Sequence, residues 1–313
     1  MTASEPQPAT PPAVEHGLSF DVEDYRQILA ARFRGDPGPV TAEFERNMEA
    51  VLAFLDQAGA RATFFVTGTV AAGRPDLVRR WAEAGHEIAS HGHAHTPIWR
   101  MTPEAFRAEL DRVKKTLEDA IGRRVGGFRA PVFSIRWDTL WALDVVQQAG
   151  FAYDSSVVPV RMQRYGVEGF AREPALYVLP SGGELVEVPL SVARVAGRVV
   201  PMAGGGYFRL FSRGRIERAV AAAQDAGVPF IVYAHPDEFG QGRFRACDLA
   251  VGWRDCLAAG LLSVKSNIGR RKVPGTVRSL LAQFRFTALE RLAQRVRERG
   301  AKSVLGTTRP GVC

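Results

Sequence analysis

Apolar positions along this chain fall into short unbroken runs and longer stripes at helical spacing, and the two kinds take turns. Runs at 16–20, 62–66, 87–90, 126–131 and 229–234 have the length and β-former content of buried strands. Between them lie helix patterns. Thr41 caps one through Phe44, Met48, Val51, Leu52 and Leu55, ended by Gly59. Residues 74–84 form a second, stopped by Gly85, and Thr102-Pro103 opens a third with Phe106, Leu110, Val113 and Leu117 on one face. Residues 137–148 and 212–226 supply two more. The alternation predicts a parallel α/β sheet or barrel whose site lies at the C-terminal ends of its strands.

Polar residues sit where such a site would be. The first strand runs into Asp21-Val22-Glu23-Asp24, the third into His91, the fourth into Arg129-Ala130-Pro131, and the run at 229–234 into His235. Residues 151–153 lead into Asp154-Ser155-Ser156. Four of the six histidines, His86, His91, His93 and His95, fall in one short stretch. His91 and His95 are four apart, so a helical turn after Ser90 would put both imidazoles on one face, able to share a metal ion with a third, acidic ligand. The string is not the H-E-x-x-H of zinc proteases. Strand alternation sets Asp21 and Glu23 on one side and leaves Asp24 to begin a loop.

The middle, residues 160–201, is rich in turns. Gly204-Gly205-Gly206 has the look of a phosphate loop but lacks the lysine-serine ending, and a turn feeding the next helix is the better reading. After Gly269 the composition shifts: Val277, Leu280, Leu281, Phe284, Leu289, Leu292 and Val296 can share a helical face, with arginines on the other. Such a basic amphipathic helix can lie on anionic lipid or dock on the domain with its charge in solvent. The expected division is therefore a lead at 1–15, a catalytic domain at 16–268 and a basic extension at 269–313.

Composition narrows the rest. The chain of 313 residues carries a net charge of +8, which suggests an anionic partner without naming it. No aromatic or zinc-finger pattern accompanies the arginines, so no nucleic acid is expected. Cys247, Cys256 and Cys313 lack metal-type spacing and need no oxidising compartment. Residues 1–14 are rich in Pro, Ala and Thr without an apolar h-region, so a disordered lead and a cytoplasmic protein, at most peripheral to the membrane, are expected.

In this order the strand-end motifs resemble the polysaccharide deacetylases of carbohydrate esterase family 4, over roughly residues 17–239. Within that family, 20–25, 204–210 and 234–239 resemble the branch found with bacterial exopolysaccharide and exosortase gene clusters. The resemblance implies a distorted (β/α) barrel and one divalent ion, zinc or a similar metal such as cobalt, that hydrolyses N-acetyl groups on a saccharide. It implies Asp21 as general base, His91 and His95 with Glu23 or Asp24 as metal ligands, and Arg129 steadying Asp21. His235 would protonate the leaving amine, Asp154 would orient His235, and Ala130 and Pro131 would shape the groove. The commonest family motif has two adjacent aspartates, whereas valine follows Asp21 here; other members place the metal acid two positions after the base, which, with strand alternation, favours Glu23 over Asp24. An N-acetylated sugar of a polysaccharide, or of its lipid- or nucleotide-linked precursor, is the expected substrate. The rivals are a cyclic amide or imide hydrolase of the same fold, and a saccharide-binding protein with a degenerate site.

Overall fold

The computed structural model describes residues 14–246, 249 and 252–306. Most of the expected lead, residues 1–13, and residues 307–313 lie outside the described residues. The first half alternates as its sequence requires: β1 (His16–Val22), α1 (Tyr25–Arg34), α2 (Ala42–Gln57), β2 (Thr63–Val66), α3 (Gly68–Gly73), α4 (Pro75–Glu83) and β3 (Glu87–Ser90). Then come α5 (Pro103–Ile121), β4 (Gly127–Phe128), α6 (Trp141–Gln148) and β5 (Tyr153–Asp154). Two antiparallel pairs follow, β6 (Ala175–Val178) with β7 (Glu184–Glu187), and β8 (Val192–Val195) with β9 (Arg198–Pro201). The remainder is α7 (Gly206–Leu210), α8 (Arg213–Asp225), β10 (Ile231–Ala234), α9 (Trp253–Asn267), α10 (Lys272–Gln283), β11 (Phe286–Thr287), α11 (Leu289–Arg299) and β12 (Lys302–Val304).

The main sheet runs β10-β1-β2-β3-β4-β5-β7-β6-β12 and is parallel from β10 to β7. Irregular chain joins its two sides. Leu190 N donates to Val157 O at 2.9 Å, Ile231 N donates to Ser191 Oγ at 2.7 Å, and Tyr233 N donates to Ala203 O at 2.8 Å. The segment 188–204 thus spans from the end of β5 to the free edge of β10, which makes the barrel a distorted one. At Gly204, φ is 153° and a Cβ would lie 1.8 Å from Tyr233 O, so the glycine triplet serves close backbone packing against β10.

Strand parity divides the core. Leu18, Phe20, Phe64, Val66, Ile88, Phe128, Val232 and Ala234 pack outward under the helices, with Val51, Trp81, Phe106 and Leu110. The other parity, Phe65, Ala89, Tyr153, Val186 and Ile231, fills the interior. On this interior parity polar residues recur: Ser19 and Asp21 on β1, Thr63 on β2, Glu87 on β3, and Ser155 two residues beyond Tyr153 of β5.

The stretch after Gly269 is built into this barrel. The expected stripe is two helices with a strand between them: β11 pairs with His16 and Gly17 of β1, and β12 pairs with β6. Leu289, Leu292 and Ala293 of α11 close the lower end of the interior, and Val273, Val277 and Leu280 of α10 join the outer core. The apolar faces of both helices are therefore covered by protein, and any contact of this stretch with lipid would rest on its arginines alone. No helix among the described residues is long and apolar enough to cross a membrane.

Candidate metal centre and active site

The upper ends of β1, β3, β4 and β10 deliver six polar side chains to one place. Arg129 is fully buried at its centre, with its guanidinium 4.0 Å from the Phe65 ring. Its Nη1 donates to Asp21 Oδ1 at 2.7 Å and Ser19 Oγ at 2.9 Å, while Nε and Nη2 donate to Ser155 O and Ser155 Oγ, both at 2.9 Å. This fork fixes one carboxylate oxygen of Asp21 and leaves Oδ2 facing His235 Nε2, 3.9 Å away.

Two residues on, Glu23 meets the histidines. Its Oε2 is 2.6 Å from His95 Nε2 and 3.5 Å from His91 Nε2. These ligand atoms all lie within 4.8 Å of one another, and the group could hold a metal ion. Glu23 Oε2 is buried without a hydrogen bond of acceptable geometry, the condition of an atom aimed at something other than a donor. His91 Nδ1 is 2.9 Å from Arg129 O, a carbonyl that can only accept, so Nδ1 donates there and Nε2 is the ring nitrogen turned to the cluster. Burial alone would raise the Glu23 pKa, but the imidazoles of His95 and His91 hold it well below the carboxylate range.

The histidine loop reaches this geometry without a helix. Gly92 and His95 both take left-handed backbone, φ 72° and 55°. For a non-glycine residue such as His95 that conformation costs about 1–2 kcal/mol. The neighbours that enforce it are the free amides at the start of α3: Gly68 N donates to Gly92 O at 2.9 Å and Thr69 N to His93 O at 3.0 Å. His93 N donates to Glu109 Oε1 at 3.0 Å. The His93 ring lies against Gly68, outside the cluster. His86 stacks on Phe64 and accepts from Ala62 N, and His16 accepts from Phe230 N, so both serve the fold.

His235 stands across from the ligands, with Nε2 3.9 Å from Glu23 Oε1 and a side chain 26% exposed against 3% for Asp21. Its other face meets Glu238. Nδ1 is 3.7 Å from Glu238 Oε2, which also accepts from His235 N at 3.0 Å, and Arg209 Nη2 holds Glu238 Oε1 at 2.7 Å. Burial disfavours the imidazolium, yet Glu238, Glu23 and Asp21 together raise the His235 pKa to about 10.

Two expected members stand apart. Asp24 caps α1, accepting from Arg26 N at 3.0 Å, and its Oδ2 accepts from Thr41 N at 2.7 Å, so its carboxylate is committed to helix ends and not to the histidines. Asp154 does not reach His235. It lies on the outward parity opposite Glu187, because a one-residue offset on a strand reverses the side chain. Its Oδ2 accepts from Ser156 Oγ at 2.7 Å, and Ser156 Oγ accepts from Ala130 N at 2.7 Å, which braces the Arg129-Ala130-Pro131 turn. Burial pushes both Asp154 and Glu187 up, Glu187 further because Asp154 is beside it. Pro131 lies against Gly92, where it walls the histidine loop. Sequence reasoning missed Glu238, Ser19 and Ser155. For Glu238 a signal existed: Pro236 after His235 followed by an acid three residues on is a capping-box spacing.

The family model for polysaccharide deacetylase matches residues 35–153, and a domain of unknown function, DUF3473, matches 155–294. The first match contains His91, His95 and Arg129, whereas Asp21 and Glu23 precede it and His235 falls in the second. The chitooligosaccharide deacetylase of a Bradyrhizobium strain is 33% identical over 123 residues, covering 38% of this chain and 53% of that protein. The chain spans about a third to a half of the length of the first curated relatives it matches. A putative polysaccharide deacetylase from Mycobacterium smegmatis shares the fold with a TM-score of 0.63 and 21% identity over 99% of both chains. The Puue allantoinase shares it with a TM-score of 0.58 and 15% identity over 95% of both. The chain is thus similar to the polysaccharide deacetylases over residues 35–153 and to DUF3473 over residues 155–294, and it shares the fold of the solved structures named above.

Proposed function

We propose that this protein is a metal-dependent hydrolase that removes N-acetyl groups from a sugar of a polysaccharide or of its lipid- or nucleotide-linked precursor. The observation that carries the reading is the convergence of Glu23, His91 and His95 beside the Asp21–Arg129 pair and His235. The orphaned, buried Glu23 Oε2 and two imidazole nitrogens form a mixed oxygen and nitrogen donor set that suits zinc or cobalt. A divalent ion held there supplies Lewis acidity, polarising an amide carbonyl and making water a better nucleophile at neutral pH.

Asp21 is placed to take the proton as water attacks the carbonyl carbon. Arg129 holds its carboxylate in one orientation, so that the other oxygen, Oδ2, faces the reacting space. His235, on the opposite side and more open to solvent, is placed to give a proton to the nitrogen as the carbon–nitrogen bond breaks, leaving acetate and a free amine. Glu238, held by Arg209, keeps His235 turned toward the cluster. Pro131 and Gly92 wall one side of the space. The test is acetate release from N-acetylated oligosaccharides by the full chain with zinc or cobalt, against metal-stripped protein. No acetate from any such sugar under loaded conditions overturns the substrate class, and a ring-opened acid from a cyclic amide would replace it.

A further inference from the structure

Helix α9 is amphipathic in the wrong direction for a helix that only packs. Its buried side is small, with Ala259 buried and Leu262 partly buried against Leu29, Phe244 and Ala246. Its large apolar residues point out. Trp253, Leu257, Leu261 and Val264, with Ile268 just past its end, are 59–75% exposed. At 100° per residue they fall in an arc of about 80°, a single stripe roughly 22 Å long. Leu210, 73% exposed, adjoins the stripe's far end, where Arg209 Nη1 donates to Ser266 O at 2.8 Å. Among the described residues nothing packs over this face, and an apolar patch of this continuity marks a contact surface.

Charge around the stripe selects the occupant. Arg254 lies over the Trp253 ring at 5.2 Å, and Arg254 and Lys265 flank the same side of the arc. Arg243, Arg245, Arg271 and Lys272 are exposed nearby, and Asp255 is the one acid between residues 252 and 272. A second copy of this chain would set these cations against their own kind. An apolar stripe with a tryptophan and a cationic border fits an acidic phospholipid surface, which takes the stripe between its headgroups and pairs the border with its charge. We infer that α9 is an interfacial membrane anchor that docks the protein on acidic bilayers. Its C-terminal end is braced through Arg209 and Glu238 to the loop of His235, so docking sets the candidate site beside the bilayer.

Flotation of the full chain with vesicles tests this without any turnover assay, so a failure of the deacetylase reading leaves it standing. The chain should float with phosphatidylcholine vesicles containing phosphatidylglycerol, and far less with phosphatidylcholine alone. The double variant Leu257→Glu/Leu261→Glu should lose at least about tenfold in vesicle affinity. Arg254→Glu/Lys265→Glu should lose less and remove the salt dependence. Circular dichroism and melting, unchanged in both exposed-site variants, confirm that the fold is kept. Equal flotation by Leu257→Glu/Leu261→Glu, or none by the wild type, overturns the inference. So does a dimer in sedimentation equilibrium that Leu257→Glu/Leu261→Glu dissolves while the wild type ignores vesicles.

Discussion

The barrel interior is polar at both of its ends, and Glu87 at the lower end makes a useful contrast with Glu23 at the upper. Glu87 is fully engaged. It accepts from Tyr153 Oη at 2.7 Å, from Glu290 N at 3.0 Å and from Thr63 Oγ1, while Thr63 Oγ1 itself accepts from Leu289 N at 2.7 Å. Two buried side chains on β2 and β3 thereby satisfy the free amides that open α11, and the helix seals that end. Glu23 is buried to a similar degree, yet no backbone amide or hydroxyl is bonded to its Oε2, which faces the Nε2 atoms of two imidazoles. The lower cluster consumes every donor and acceptor for cohesion. The upper one brings a carboxylate oxygen and two imidazole nitrogens within reach of one another, a donor set of the kind that can hold a metal ion.

If the contrast is sound, variants at the two ends will separate activity from stability. Asp21→Asn should cut turnover by about 10²- to 10⁴-fold, the range for loss of a general base. The matched variant at the other end, Glu87→Gln, should leave turnover unchanged; equal losses in a steady-state acetate assay would erase the distinction. Arg129→Leu tests the centre of the upper end, since it strands the buried Asp21 carboxylate, and should destabilise by about 3–5 kcal/mol in a denaturant titration. Glu238→Gln should lower kcat by about 10- to 100-fold through misplacement of His235, with KM little altered and the melting temperature lowered because Arg209 loses its buried partner.

The lower end makes its own prediction against pH. Burial, reinforced by Glu290, pushes the Glu87 carboxyl from 4.5 up to about 7. The folded state then holds a proton that the unfolded chain releases. Stability due to Glu87 is therefore fully present below pH 4.5, falls as the pH rises to about 7 and is level beyond it. Glu87→Gln should flatten that slope, worth on the order of 3 kcal/mol, in melts taken across the range. Smallest of all, Thr63→Val should cost about 1 kcal/mol by leaving Leu289 N without its acceptor.

Much of the fold was legible because each early strand and helix announces itself by period: the runs at 62–66 and 87–90 and the stripe after Thr102 coincide with β2, β3 and α5. Strand alternation also separated Glu23 from Asp24, since β1 sends Asp21 and Glu23 to one face. What failed was geometry that no local pattern encodes. The histidine pair was expected on a helical turn, whereas Gly92 and His95 bring it together in left-handed backbone held by α3. Asp154 was expected beside His235, but its strand position turns it outward, and Glu238 arrives from a turn only three residues away. Helix α1 was hidden behind the acids, with Asp24 as its cap. The stripe after Gly269 was read as one element because its apolar residues keep helical phase across β11, and only pairing with β1 reveals the break. Helix α9 escaped notice since most of its large residues face solvent and its packing face is small, with Ala259, Ser263 and the single large residue Leu262.

The measurement closest to the central claim is metal content by elemental mass spectrometry on untagged protein, comparing the wild type with Glu23→Gln and His95→Ala. About one zinc, cobalt or similar ion per chain in the wild type, lost from both variants with circular dichroism unchanged, is the predicted result. No ion in the wild type after incubation with zinc, or an ion retained equally by both variants, would contradict a metal centre at Glu23, His91 and His95.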